Sequence, residues 1–122
     1  MISVNLQKKM IQVYHNNRCG KSREAIKIVE ASGKEFEIIK YLENPPTFDE
    51  LELLLKKLNY QPLDLVRQKE SIWTERFKGK KLSNEEIIKA LVENPILIER
   101  PIIILKDKAI VARPPEKLND FI

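Results

Sequence analysis

A lone cysteine and a lone histidine stand four residues apart in the segment His15-Asn16-Asn17-Arg18-Cys19-Gly20-Lys21-Ser22-Arg23. A cysteine becomes a nucleophile as its thiolate, which a positive and partly solvated surrounding favours. Arg18, Lys21 and Arg23 bring positive charge to Cys19, and its other neighbours are polar or small. A free cysteine can instead be an inert small hydrophobe in a core; the polar segment favours the reactive reading. Ser22 could give its hydroxyl to the sulfur or to a bound oxyanion, or serve only as a first-turn residue of a helix. His15 could hold the thiolate by charge or through a hydrogen-bond chain, or be a structural residue whose ring bonds the loop backbone. Four extended residues span up to roughly 13 Å, so contact between the two requires the loop to curl back.

The elements around this segment decide which chemistry it can do. Ile11-Gln12-Val13-Tyr14 alternates as a strand does, and Ala25, Ile26, Ile28 and Val29 fall on a helical stripe that Gly33 ends. Cys19 therefore lies where a strand hands over to a helix. Unpaired backbone N–H groups and the helix dipole there favour a thiolate and offer a pocket for an oxyanion. Phe36-Glu37-Ile38-Ile39 completes a βαβ unit. Thr47 with Glu50, and Ser83 with Glu86, are capping-box pairs that open two further helices, with irregular helical structure expected from Gln61 to Lys81. Ile102–Leu105 and Ala109–Val111 form a hairpin around a Lys106-Asp107-Lys108 turn, and a short amphipathic helix closes the chain from Pro115 to Ile122. This order predicts an α/β protein of thioredoxin-like fold: a mixed four-stranded sheet with flanking helices and a helical insertion. Residues 1–9 are expected to be a short leader and 10–122 a single domain.

Composition narrows the function. One cysteine cannot form an intramolecular disulfide, and Met1–Met10 carries no apolar secretory core, so a reducing compartment, the cytoplasm, is expected. One histidine and one cysteine do not supply the ligands of a zinc site; neither a metal nor a bound cofactor is expected. The apolar run Pro101–Leu105 is far too short to span a bilayer. The net charge of +4 comes from 22 basic residues interleaved with 18 acids, which reads as a mixed solvated surface with no nucleic-acid face.

The segment Tyr14–Arg23 resembles the active-site pattern His-Asn-x-x-Cys-Gly-x-Ser-Arg of glutaredoxin-coupled arsenate reductases. The resemblance continues through Tyr41-Leu42-Glu43-Asn44-Pro45-Pro46-Thr47, Leu65-Val66-Arg67, Asn94–Ile102 and Ala112-Arg113-Pro114, in the family's order. It implies Cys19 as nucleophile, Arg67, Arg100 and Arg113 as oxyanion ligands, and a cis Arg100–Pro101 bond. Planar guanidinium forks suit a tetrahedral dianion. The resemblance also implies arsenate or a similar oxyanion as substrate, glutathione as co-substrate, glutaredoxin as partner, a role in arsenic detoxification and a monomer.

Two positions depart from the pattern: Lys21 stands where many members carry a small hydroxyl residue, and Asn17 where they often carry proline. Two other readings stay open, a redox-responsive regulator that binds RNA polymerase and a glutathione-dependent oxidoreductase with another substrate. Such regulators typically switch through Cys-x-x-Cys, and Ser22 at the second position cannot form that disulfide.

Overall fold

The computed structural model describes residues 11–16 and 18–122; the expected 1–9 leader and Asn17 lie outside them. In chain order the elements are β1 (Ile11–Tyr14), α1 (Gly20–Ala31), β2 (Phe36–Ile39), α2 (Phe48–Leu58), α3 (Ser71–Arg76), α4 (Asn84–Glu93), β3 (Ile102–Leu105), β4 (Lys108–Val111) and α5 (Leu118–Phe121). Short 3₁₀ turns occupy Pro62–Leu65, Pro95–Leu97 and Pro115–Lys117. The chain divides into two compact units, one holding the residues up to Tyr41 together with Arg100–Ile122, the other Leu42–Glu99.

The first unit carries a four-stranded mixed sheet in the order β2-β1-β3-β4, with β1 parallel to β2 and β3 antiparallel to both β1 and β4. This is the thioredoxin-like order expected from the βαβ and hairpin signals. Alternation along the strands sends Ile11 and Val13 of β1 and Ile103 of β3 to one face, where they pack with Ala25 and Val29 of α1 and Leu118 of α5, all fully buried. Burying each large aliphatic side chain contributes roughly 1.5–3 kcal/mol. Helix α1 stops at Ser32, and Gly33 follows at φ 75°, a left-handed conformation that glycine adopts without steric cost. Tyr41 is fully buried and stacks on Tyr14, with ring centroids 6.1 Å apart, at the end of β1 that feeds the cysteine loop.

The hairpin differs from its expectation by one residue. Leu105 pairs with Lys108, so the loop is the two residues Lys106 and Asp107, and Lys108 belongs to β4. Two-residue hairpin loops require a left-handed first residue, and Lys106 takes that conformation at φ 60°. Glycine or asparagine would have announced it in the sequence.

The second unit is helical. Both anticipated capping boxes are present, at Thr47/Glu50 for α2 and Ser83/Glu86 for α4. Leu51, Leu54, Leu55 and Leu58 form the buried stripe of α2, which packs against α4, where Ile87, Ile88 and Leu91 are buried. The irregular segment resolves into the 3₁₀ turn Pro62–Leu65 and the short α3, whose buried Trp73 stacks on Phe77. A bridge between Val66 and Ile98 ties two distant stretches of this unit, with Arg67 N–H donating to Leu97 C=O at 2.7 Å and Glu99 N–H to Leu65 C=O at 2.9 Å. Among the described residues no helix is long and apolar enough to cross a membrane.

Candidate active site

Strand register alone converges three of the chain's chemical groups. Tyr14, the last residue of β1, pairs with Ile102, the first of β3, so the loop leaving β1 emerges where β3 begins. Ile102 in turn pairs with Val111, and Ala112 N–H donates to Pro101 C=O at 3.0 Å, extending the ladder one step. Arg100 and Arg113 are then the next residues outward on the two hairpin arms, facing the same end of the sheet as Cys19. Each precedes a proline through a cis peptide bond, Arg100–Pro101 as expected and Arg113–Pro114 as a further finding.

Cys19 is the N-cap residue of α1, with extended backbone (φ −102°, ψ 117°), and the first turn it opens holds no acidic residue. The loop before it is organised by Asn16, which is buried. Its side-chain carbonyl accepts from Arg18 N–H at 2.9 Å, its backbone carbonyl accepts from Cys19 N–H at 3.0 Å, and its own N–H donates to the Ser22 hydroxyl oxygen at 3.4 Å. Asn16 thus closes the turn that presents the cysteine with its side-chain carbonyl and both of its backbone groups, the side-chain bond being one that asparagine commonly makes in tight turns. Sequence reasoning missed it; an asparagine in a strand-to-helix loop was the available signal, and its bonding is set by a curl of the chain that spacing does not display.

Burial pushes the Cys19 thiol up, but four influences outweigh it and leave the thiol below its ordinary value. They are the backbone N–H of Ser22, the Ser22 hydroxyl, the Arg100 guanidinium and the backbone N–H of Lys21. These are the helix-start donors and the positive charge that stabilise a thiolate. Ser22 is fully buried beneath the loop and acts on the sulfur through two of its groups. His15 is buried at the end of β1, where its backbone N–H donates to Ile39 C=O at 2.9 Å.

Although only 7% exposed, Cys19 lines an open cleft of about 540 Å³. The lining holds six cationic residues, Arg18, Lys21, Arg23, Lys27, Arg100 and Arg113, against one carboxylate, Glu24. The Glu24 carboxylate lies 3.7 Å from the Lys21 ammonium. So concentrated a positive lining beside a low-dielectric wall attracts anions. Gly20, Arg23, Glu24 and Lys27 share one face of α1, at helical spacing of three, four and seven residues. Lys27 was missed in the sequence, where that spacing was the signal.

The structure thus brings Cys19, Ser22, Arg100 and Arg113 to one end of the sheet. Arg67 belongs to the second unit. There its guanidinium pairs with Glu70 at 2.7 Å and donates to Ile96 C=O at 3.3 Å, so the planar fork is held in a fixed direction.

Known proteins match along nearly the whole chain. Residues 14–121 fit the model of the ArsC family. An arsenate reductase of Neisseria meningitidis serogroup A is 36% identical over 111 residues, 89% of this chain and 95% of the relative. The Escherichia coli K12 protein YfgD, described as uncharacterized, is 40% identical over 116 residues, 93% and 98% of the two chains. An arsenate reductase structure from Vibrio cholerae superposes with a TM-score of 0.89 at 35% identity, covering 93% of this chain and 98% of its own. The mixed sheet and its helices are those of these structures.

Proposed function

This chain belongs to the ArsC family, and from that premise we propose that it reduces arsenate to arsenite, with Cys19 as nucleophile and glutathione and glutaredoxin as the reducing couple. The observation that carries this reading is a thiol lowered by helix-start donors and Arg100, set in a cleft lined by six cations. Such a cleft both activates the sulfur and gathers a tetrahedral oxyanion beside it.

In the proposed reaction the Cys19 thiolate attacks arsenic(V), forming a sulfur–arsenic bond and expelling a hydroxide that is protonated to water. Arg100 and Arg113 hold the remaining oxygens through charge-assisted hydrogen bonds, and these strengthen as negative charge gathers in the transition state. Glutathione thiolate then attacks the Cys19 sulfur. The sulfur–arsenic bond breaks with its electron pair staying on arsenic, which leaves as arsenite, arsenic(III), while Cys19 and glutathione form a mixed disulfide. Glutaredoxin takes the glutathione from that disulfide by thiol exchange and frees Cys19. An external thiol is required on this reading because the sequence holds no second cysteine, and the need for reduced thiol places the reaction in the cytoplasm. Arg67 keeps the part that the family resemblance gives it, a further oxyanion ligand. Ser22 supports the thiolate, and His15 acts from the base of the loop.

The test is arsenate-dependent NADPH oxidation by the purified protein with glutathione, glutaredoxin and glutathione reductase. Turnover that needs arsenate and is lost in Cys19→Ala is the expected result, and a rate indifferent to arsenate would sink the proposal. Arg100→Ala, Arg113→Ala and Arg67→Ala are each expected to raise KM for arsenate or lower kcat. An arginine whose removal leaves both unchanged is not an oxyanion ligand.

A further inference from the structure

The cleft is larger than its oxyanion needs. About 540 Å³ falls in the range of roughly 300–1,000 Å³ that larger organic ligands occupy, whereas a tetrahedral oxyanion is satisfied by the arginine forks and helix-start donors around Cys19. The remaining lining runs along α1. A Cβ placed on Gly20 would lie 3.7 Å from Arg23 Nη2, so that guanidinium sits over the helix start. Glu24 has Lys21 as its ion-pair partner. Lys27, two turns down the same face, is exposed and makes no hydrogen bond or ion pair among the described residues. From Gly20 to Lys27 the helix rises about 10 Å at 1.5 Å per residue. Helical side chains lean back toward the N-terminus, which draws the Lys27 ammonium toward the sulfur. A tripeptide spans about 10 Å when extended.

We propose that this face of α1 is the docking subsite for the thiol co-substrate, with the sulfur of a tripeptide-sized thiol directed at Cys19 and one of its carboxylates bound by Lys27. The inference rests on the thiol-dependent reaction proposed above and adds to it a specificity residue, Lys27, that selects anionic thiols over neutral ones.

The test uses the full chain and needs no arsenate. The Cys19 thiolate attacks one sulfur of a disulfide, forming a mixed disulfide as the original sulfur–sulfur bond breaks and a thiolate departs, with no other oxidant. The rate of this step, followed by intact-protein mass spectrometry, is compared for glutathione disulfide, which carries carboxylates, and bis(2-hydroxyethyl) disulfide, which is neutral. The ratio of the two rates is expected to fall about three- to tenfold in Lys27→Glu, and by less in Lys27→Gln, as for the loss and reversal of an exposed ionic contact. It is also expected to fall with added salt in the parent protein. Lys108→Glu makes the same charge change at the closed end of the hairpin and is expected to keep the parent ratio. An unchanged ratio in Lys27→Glu, an equal fall in Lys108→Glu, or no adduct at Cys19 from either disulfide would each overturn the subsite. A charge-selective thiolation that depends on Lys27, in a protein that fails to reduce arsenate, would refute the proposed function and leave the subsite standing.

Discussion

Helices α1, α2 and α4 each carry a hydroxyl residue at either the N-cap or the third helical position, and two of them use it alike. At Thr47/Glu50 and Ser83/Glu86, a hydroxyl at the N-cap accepts from the N3 backbone N–H, and an N3 carboxylate reaches back to the N-cap N–H. Both helices also place acids in their first turn. At Cys19/Ser22 the pattern is inverted: the N-cap carries the sulfur, N3 carries the hydroxyl, and the first turn has no acid. Cys19 makes no capping hydrogen bond of the kind Thr47 and Ser83 make, yet the N–H and hydroxyl of Ser22 both act on its sulfur. The unsatisfied donors at a helix start attract negative charge. In α2 and α4 the chain supplies that charge permanently from its own carboxylates, and the helices are anchored. In α1 it withholds the carboxylate, so the donors remain available for a thiolate and for an anion from solution.

Replacing the sulfur tests this contrast most severely. Cys19→Ser puts at the head of α1 the residue type that heads α4, and two effects should separate. Arsenate turnover is expected to fall by at least about a thousandfold, as when other nucleophiles are removed. Thermal stability is expected to hold or rise, because serine is a preferred N-cap residue worth about 1 kcal/mol over residues that do not cap. A parallel loss of stability and activity would show that Cys19 serves packing, and the contrast between the helix starts would then have no functional content.

Ser22→Ala removes one of the two groups through which that residue lowers the thiol and is expected to have a smaller effect. The thiol should move up toward its ordinary value and alkylation by iodoacetamide at neutral pH should slow several-fold, with Arg100 and the remaining backbone donors still acting. The pH profile fixes the sign. In the parent protein alkylation should reach half its maximum below the midpoint of a small free thiol, because Cys19 is lowered. A thiol lowered on folding also stabilises the fold above its unfolded pKa, and that contribution is lost as pH falls through the folded value. Superimposable alkylation profiles for parent and Ser22→Ala would remove Ser22 from the account.

The sequence disclosed most of the frame because several signals agreed at each element. Strand β1 had alternation and a polar stop, α2 and α4 had capping pairs directly before leucine and isoleucine stripes, and α1 had a glycine just past its end. Conflict or silence marked the failures. Lys106 holds a left-handed position that its residue type does not advertise, so the hairpin loop was expected one residue too long. In the site, Cys19, Arg100 and Arg113 were legible through motif order, and strand register explains why those distant positions meet. Asn16 was not legible, since its three hydrogen bonds exist only once the loop has curled. Lys27 was hidden by its ordinariness among 22 basic residues; its helical spacing from Gly20 acquires meaning once the cleft is seen.

The smallest expected effect comes from the other side of the comparison. Ser83→Ala deletes the hydroxyl that accepts from Glu86 N–H at 3.1 Å, leaving the reciprocal bond from Ser83 N–H to the Glu86 carboxylate at 2.8 Å. Loss of such a cap costs about 1 kcal/mol, which for a domain of this size lowers Tm by about 3–6 °C. Turnover at 25 °C should be unaltered, because this cap anchors a helix and activates nothing. The pH dependence should mirror that of Cys19 on the acid side. The Ser83 N–H, its hydroxyl and Lys89 hold the Glu86 carboxyl below its ordinary value despite a small opposing effect of burial. Its contribution is therefore complete above the unfolded carboxylate pKa and is lost as pH falls through the folded one. The gap in stability between parent and Ser83→Ala should accordingly be widest near neutrality and narrow on acidification through the carboxylate range. A gap that is constant with pH would mean that the hydroxyl does not act through Glu86, and a loss of turnover would mean that the anchored helices share in the chemistry assigned to the open one.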